Sequence, residues 1–336
     1  MLKIAIAGFG KIGQLRAKEI LKNSNTKLKA VFDIKKPSKL DENIIFCNSF
    51  DNLLTQDIDV VFICTYNNVL ADYTTKALKA GKHVFCEKPP ARTSEELLSV
   101  IEIEKRSGLI LKYGFNHRYH YSVMEAKKII DSGSMGKLLW LRGVYGKAGS
   151  IDYNKNWRNY REYSGGGILI DQGIHMLDLM RYFSKQNFKQ INSFVTTSYW
   201  NIEAEDNAFA IMQSDEKVTA MLHSSATQWK HKFLLEMCFE EGYINLDGIL
   251  SGTRSYAPEK LVIGRREFED ITFAMGKPKE TTTWFEYDDS WKIEVEEFVN
   301  AILNKSPIKN GTSEDAFETL KLVERIYENS GFYSDK

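Results

Sequence analysis

Apolar and polar positions follow two different rhythms along this chain, and the change falls near residue 119. In the first third, short apolar runs alternate with amphipathic stretches. Residues 2–7 (LKIAIA) form one such run, and a helical pattern follows to about Lys22. Runs at 28–32, 59–64, 83–86 and 109–113 repeat the texture, with helical spacing over 69–80 and 94–107. Strands alternating with helices predict a parallel, doubly wound sheet with right-handed crossovers. Past Tyr119 a helical pattern covers 122–132 and stops at Gly133. Strand-like runs then dominate at 138–145, 190–200, 208–212, 218–224, 233–239 and 243–247. Many follow one another without a helix between them, which predicts an antiparallel sheet in an α+β domain. One long apolar segment, 168–183, reads as a single helix because it contains no proline. Segments 291–304 and 313–330 read as closing helices, the second with Ser313 as N-cap and acidic residues in its first turn. The span 264–289, of mixed charge with Pro278 and a run of threonines, is expected to be irregular.

Length fits this division. At 336 residues the chain exceeds one typical core. The pattern predicts a doubly wound α/β domain over 1–119 and an α+β domain with an antiparallel sheet over 120–336. The closing helices are free to pack back on the first domain. Lys plus Arg equals Asp plus Glu at 45 each, so no overall charge draws nucleic acid or an anionic membrane. Apolar runs fall short of the roughly 20 residues of a spanning helix, and the first run leads straight into a glycine motif. A soluble, cytoplasmic protein is expected. Cys47, Cys64, Cys86 and Cys238 show no C-x-x-C spacing, so neither a zinc site nor a disulfide framework is indicated, and no metal is expected.

Three stretches carry candidate chemistry. GFGKIG at 8–13 is G-x-G-x-x-G between a strand and a helix, and Asp33 stands 20 residues past Gly13 at the end of the second strand, the full dinucleotide context. Gly8 permits the tight turn, Gly10 the approach of a pyrophosphate, and Gly13 close helix packing. The helix start at Lys11 and Ile12 supplies amide donors. Asp33 would accept the ribose hydroxyls of NAD and repel the extra phosphate of NADP. Lys35 and Lys36 beside it leave NADP open. The second stretch, AGKHVFCEKPP at 80–90, sets Glu87 and Lys88 at a strand end where doubly wound sheets bind ligands. Read alone, it suits a surface ion pair feeding a turn equally well. The third, SGGGILIDQGIHMLD at 164–178, puts Asp171, His175 and Asp178 on one helical stripe. Ionisable groups in such a segment need partners. By itself it fits either a capped structural helix or an acid/base site.

Together, in order and spacing, AGFGKIG, AGKHVFCEKP and SGGG-x-x-x-D-x-G-x-H-x-x-D resemble the Gfo/Idh/MocA oxidoreductase family over nearly the whole chain. The resemblance implies an α/β Rossmann domain with a parallel doubly wound sheet, followed by an α+β domain with a large, mainly antiparallel open sheet, and a bound nicotinamide cofactor, NAD with NADP possible. It also implies a homodimer or homotetramer built through the second-domain sheet. Its catalytic positions carry over to Lys88, Asp171 and His175, with Asp178 read as structural. It implies cofactor contacts from Gly8, Gly10, Lys11, Ile12, Gly13, Asp33, Thr65, Tyr66, Asn67, Glu87 and Lys88. Tyr66 and Leu70 depart from the Thr-Pro-Asn-x-x-His pattern frequent in the family. Substrate contacts are expected from Asn116, Arg118, Tyr145, Trp157 and Arg158. The glycine triplet is expected to let substrate and nicotinamide approach the helix start. Hydride transfer at a secondary alcohol of a sugar, nucleotide-sugar or cyclitol is the expected reaction, and Lys147, Trp157, Arg158 and Arg161 favour a substrate with a phosphate and a ring. The alternatives are an NAD-dependent glycoside hydrolase working through a transient keto sugar and a non-catalytic nucleotide sensor of the same fold.

Overall fold

The structure is a computed structural model that describes residues 1–267 and 278–333. It divides into two compact units. One comprises Met1–Asn116, Glu162–Gly165 and Asp289–Lys321; the other comprises His117–Arg161, Gly166–Asp288 and Leu322–Lys336. In chain order the elements are β1 (Leu2–Ala7), α1 (Lys11–Lys22), β2 (Thr26–Phe32), β3 (Ile45–Cys47), α2 (Phe50–Leu54), β4 (Val60–Ile63), α3 (Asn67–Lys79), β5 (His83–Glu87), α4 (Ser94–Ser107) and β6 (Leu111–Gly114). Next come α5 (Tyr121–Asp131), β7 (Leu138–Gly146), the short α6 (Arg161–Ser164), a π-helical turn (Leu169–Gly173) and α7 (Ile174–Ser184). Strands β8 (Phe188–Thr196), β9 (Asn207–Ser214), β10 (Thr219–Ser225), β11 (Lys232–Phe239), β12 (Gly242–Asp247), β13 (Glu259–Arg265) and β14 (Glu280–Phe285) follow, then α8 (Ser290–Asn304) and α9 (Ser313–Ser330).

The first unit is a six-stranded parallel sheet in the order β3-β2-β1-β4-β5-β6. Its strands read as almost unbroken apolar runs because both faces are covered. Ile4, Ile6, Phe62 and Phe85 of the sheet pack with Ile20 of α1 and with Val295, Phe298 and Val299 of α8. Phe298 meets the stacked pair Phe62–Phe85 edge-on, with centroids 5.6 Å from each. Strand order reverses between β1 and β4, and the crevice at that switch point is where doubly wound sheets bind ligands.

The second unit is an eight-stranded sheet in the order β14-β13-β12-β11-β7-β10-β9-β8, antiparallel except for the β7–β10 pair. One face packs on α7: a Cβ at Gly143 of β7 would lie 2.6 Å from the Met180 side chain and 2.7 Å from Met176. The other face carries Trp140, Phe194, Phe209, Ile211 and Met221, all exposed. Pairing of Met221 with Ile211 and of Phe194 with Phe209 puts them on one surface.

Four expectations are corrected. The segment 168–183 is not a uniform helix, because the wide turn Leu169–Gly173 precedes α7. Gly173 lies against Ser224 of β10, 2.9 Å from its hydroxyl for an added Cβ. Strand β8 ends at Thr196 rather than 200, and the chain turns there onto Asp206. Within 264–289 lies strand β14, so that span is not irregular throughout; residues 268–277 of it lie outside the described residues. β14 is exposed at nearly every position, so it shows no alternation to read. At α9, Thr312 rather than Ser313 is the cap: its hydroxyl accepts the Asp315 amide at 3.0 Å while Asp315 accepts the Thr312 amide at 3.2 Å. Among the described residues no helix is long and apolar enough to cross a membrane.

Candidate active site

The glycine loop after β1 is shaped by close approach. Gly8 has φ +87°, and a Cβ there would lie 2.4 Å from the Cys64 carbonyl oxygen at the end of β4. A Cβ on Gly13 would lie 2.0 Å from the Gly8 carbonyl oxygen. Gly10 is the N-cap of α1 and differs, since a Cβ there meets nothing within 4 Å. No side chain caps this helix and no acidic residue occupies its first turn. A helix start of this kind leaves its leading amides, at Lys11 and Ile12, as donors suited to an anion. The Asp33 carboxylate, at the tip of β2, accepts the Phe9 amide at 2.6 Å and the Lys35 amide at 3.2 Å. An open cradle over a bare helix terminus, with a carboxylate fixed beside it, fits a dinucleotide.

Two expected cofactor residues hold the first unit together. Asn67, in the first turn of α3, donates its side-chain amide to the Ser164 carbonyl at 2.8 Å. Tyr66 caps that helix and meets the Tyr163 ring at 6.2 Å; Thr65 precedes it, after β4. Glu87 closes β5, with Lys88 just beyond and a cis bond to Pro89. Its carboxylate accepts from Arg16 Nε at 2.7 Å, and Arg16 Nη2 donates to Glu294 Oε2 at 2.6 Å. The fully buried Arg16 guanidinium lies 4.3 Å from the rings of both Phe85 and Trp291. Arg16 thus ties α1 to the strand end that carries Lys88. Burial pushes the Glu294 carboxyl up to about 7, against the pull of Arg16. Asn116 donates to the Ser290 hydroxyl at 3.3 Å.

In the second unit, the space beside the last two glycines of the triplet is filled by protein. A Cβ at Gly166 would lie 2.3 Å from the Tyr327 hydroxyl, and one at Gly167 would lie 2.2 Å from the Glu205 carbonyl oxygen. This corrects the expectation that substrate and nicotinamide use that space. Glu205, fully buried, accepts the Gly167 and Leu169 amides at 2.8 and 2.9 Å and the Tyr327 and Tyr333 hydroxyls at 2.8 Å each. Burial raises its pKa, partly offset by these donors.

Held in this way, the π turn presents Asp171. Its Oδ2 accepts from Lys147 Nζ at 2.9 Å, and Oδ1 faces Arg158 Nε at 3.2 Å. A carboxylate held between two cations has its hydrogen-bond acceptors fixed in place. Arg158 also lies over the Trp157 ring, 4.4 Å from its centroid. Arg161 sits over Tyr333 instead, at 4.1 Å, so the expected group of Lys147, Trp157, Arg158 and Arg161 does not form as one cluster around Asp171.

His175, in the first turn of α7, stacks on His117 with centroids 3.8 Å apart and planes 18° off parallel. His117 Nε2 is 3.0 Å from the Tyr145 hydroxyl. Burial, with Tyr256 and Asp171 nearby, raises the Tyr145 phenol well above its ordinary value. Tyr145, expected at the substrate, stands beside this imidazole pair. Arg118, also expected there, donates from Nε and Nη2 to both oxygens of Asp178 at 2.8 and 2.6 Å inside the unit. Sequence reasoning named Asn116 and Arg118 but passed over His117 between them, and it missed Arg16 and Glu205 altogether.

A doubly wound sheet with a bare glycine-loop helix start, followed by a unit offering an imidazole beside a cation-held carboxylate, defines a nicotinamide-dependent oxidoreductase. Residues 2–115 match the oxidoreductase family with the NAD-binding Rossmann fold, and residues 123–245 match the GFO/IDH/MocA C-terminal domain. The chain belongs to the Gfo/Idh/MocA family of NAD-binding oxidoreductases. It is similar to an inositol 2-dehydrogenase of Salmonella typhimurium, 27% identical over 290 residues covering 80% of this chain and 82% of the relative. It is 37% identical over 143 residues to a levoglucosan dehydrogenase of Pseudarthrobacter phenanthrenivorans, a match covering 42% of this chain and 36% of that one. A D-glucoside 3-dehydrogenase of Escherichia coli is 32% identical over 197 residues, covering 54% of this chain and 53% of the relative. The matched segments thus span about a third and about half of these last two. The solved structure of a levoglucosan dehydrogenase in complex with NADH shares the fold, with TM-score 0.84 at 20% identity over 98% of this chain and 97% of that one.

Proposed function

We propose that the protein oxidises a secondary hydroxyl of a sugar, nucleotide-sugar or cyclitol with NAD. Bound NAD supplies the hydride acceptor. His175 takes the hydroxyl proton, a general-base role for which an imidazole is suited. Lys88 offsets the negative charge that develops on the substrate oxygen. Asp171 accepts a neighbouring hydroxyl, and Tyr145, Trp157, Arg158 and Asn116 contribute to substrate binding. Arg118 acts through Asp178 by fixing α7. The observation that carries this reading is the pair of cations on Asp171 one turn before the stacked His175. The names of the relatives support a carbohydrate-like substrate. The carboxylate of Asp33, at the ribose end of the loop, supports NAD over NADP. The exposed apolar face of the eight-stranded sheet supports a homodimer or homotetramer joined through it.

The test is NADH formation with a panel of cyclitols, free sugars, sugar phosphates and glycosides. Substitution of His175 or Lys88 by Ala is expected to lower kcat by about 10²–10⁴-fold. Unchanged turnover in both variants would refute the site. Glycoside cleavage without net NADH would replace the dehydrogenase by the hydrolase.

A further inference from the structure

Asp206 is fully buried, and its side chain serves one short loop. The carboxylate accepts three consecutive backbone amides, Ser198 at 2.7 Å, Tyr199 at 2.8 Å and Trp200 at 2.9 Å, with the Asn207 side chain at 3.0 Å. A buried carboxylate needs donors to compensate it, and these three amides tie the loop to Asp206. What it holds outward is aromatic. Tyr199 is 64% exposed, and Trp229, whose ring centroid lies 4.9 Å from that of Tyr199, is 60% exposed. Trp200 lies behind both, fixed by donation from its indole N–H to the Ala226 carbonyl at 2.8 Å.

This platform is joined to the Asp171 site by packing. Trp200 meets Tyr153 at 4.9 Å, and both pack with Ile168, the residue just before the π turn. Lys147 Nζ, which holds Asp171, lies 5.4 Å from the Tyr153 ring. The Gln228 amide donates to the Lys147 carbonyl at 3.0 Å, so Trp229 directly follows a residue tied to the backbone of Lys147. Glu205 holds the start of the π turn while the adjacent Asp206 holds the aromatic loop, so one dipeptide fixes both.

We propose that Tyr199 and Trp229 form a second subsite that stacks a pyranose ring linked to the ring being oxidised, so that the preferred substrate is a disaccharide or other glycoside rather than a free monosaccharide or cyclitol. This rests on the carbohydrate reading above. Rigid Tyr and Trp rings give contact area at little cost in ordering, and the C–H face of a pyranose is the apolar surface they match. The competing occupant is a second copy of the chain.

The experiment compares D-glucose with maltose, cellobiose and sucrose, using the full-length enzyme with NAD. Wild type is expected to favour at least one disaccharide over glucose in kcat/KM. Trp229→Ala and Tyr199→Ala are expected to lower that ratio about five- to tenfold, with Trp229→Phe restoring most of it. Tyr287→Ala, an equally exposed aromatic elsewhere, serves as control and is expected to leave the ratio alone. Quenching of tryptophan fluorescence by the same disaccharides, with NADH bound, reads the subsite without turnover. If no sugar is oxidised but quenching is present and lost in Trp229→Ala, the oxidation reading fails and the subsite stands. A ratio and quenching unchanged in both variants would overturn it. So would a shift to a smaller species by light scattering in Trp229→Ala with sugar response intact, which would assign the platform to assembly.

Discussion

Two glycine clusters, Gly8-Phe9-Gly10-Lys11-Ile12-Gly13 and Gly165-Gly166-Gly167, look alike in sequence and work in opposite ways. In the first, Gly8 and Gly13 let backbone pack on backbone so that Gly10 is left facing open space at a helix start. In the second, the space of Gly166 and Gly167 is taken by Tyr327 and Glu205. One cluster leaves open space beside a helix start; the room left by the other is filled by the protein itself. A glycine therefore signals close approach, and only the surroundings say of what.

This difference can be broken by mutation. The largest expected effect is Gly13→Val, whose side chain would enter the Gly8 carbonyl: a loss of about 3–5 kcal/mol in stability, read by denaturant unfolding, with NAD binding abolished. Gly167→Ala should cost about 2–3 kcal/mol by pushing on Glu205 while the NAD affinity of the folded fraction, read by calorimetry, stays within twofold. A comparable loss of NAD affinity would show that the triplet serves the cofactor after all. Gly10→Ala reverses the pattern. Its Cβ meets no protein atom, so the melting temperature of the apoprotein should hold within a few degrees while NAD binding weakens about tenfold, or about 1.4 kcal/mol.

The smallest effect concerns buried carboxylates, which the two units treat differently. Glu205 is satisfied by amides and phenols, whereas Glu294 shares the Arg16 guanidinium with Glu87. With its pKa raised from 4.5 to about 7, Glu294 binds a proton in the folded state that the unfolded chain has already released. Its contribution to stability therefore falls as pH rises through that interval. Glu294→Gln should flatten the decline of stability between about pH 5 and 7, measured as unfolding midpoints across pH. A slope as steep as wild type would place the titration elsewhere.

Much of the fold was legible because it is written in local periodicity. Strand and helix alternation gave the Rossmann unit, and GFGKIG with Asp33 gave its ligand site, since that site is built from backbone amides and one nearby carboxylate. The side-chain site was legible only in its members. Nothing near Asp171 in sequence reveals that Lys147 and Arg158 hold it, nothing near Gly167 reveals Glu205, and nothing in NHRY reveals that His117 stacks on His175. The π turn escaped because helical periodicity is indifferent to one wide turn, and β14 because a strand exposed on both faces has no pattern.

The sequence by itself determined the order of elements, the dinucleotide loop and the residue types available for acid/base chemistry, because propensities and turn requirements act over a few residues. Tertiary structure decided which carboxylate meets which cation, which glycines face ligand and which face protein, and where the aromatic loop is held. Those outcomes depend on pairings between residues tens of positions apart in the chain, which are fixed only when the sheets close and buried charges must find their partners.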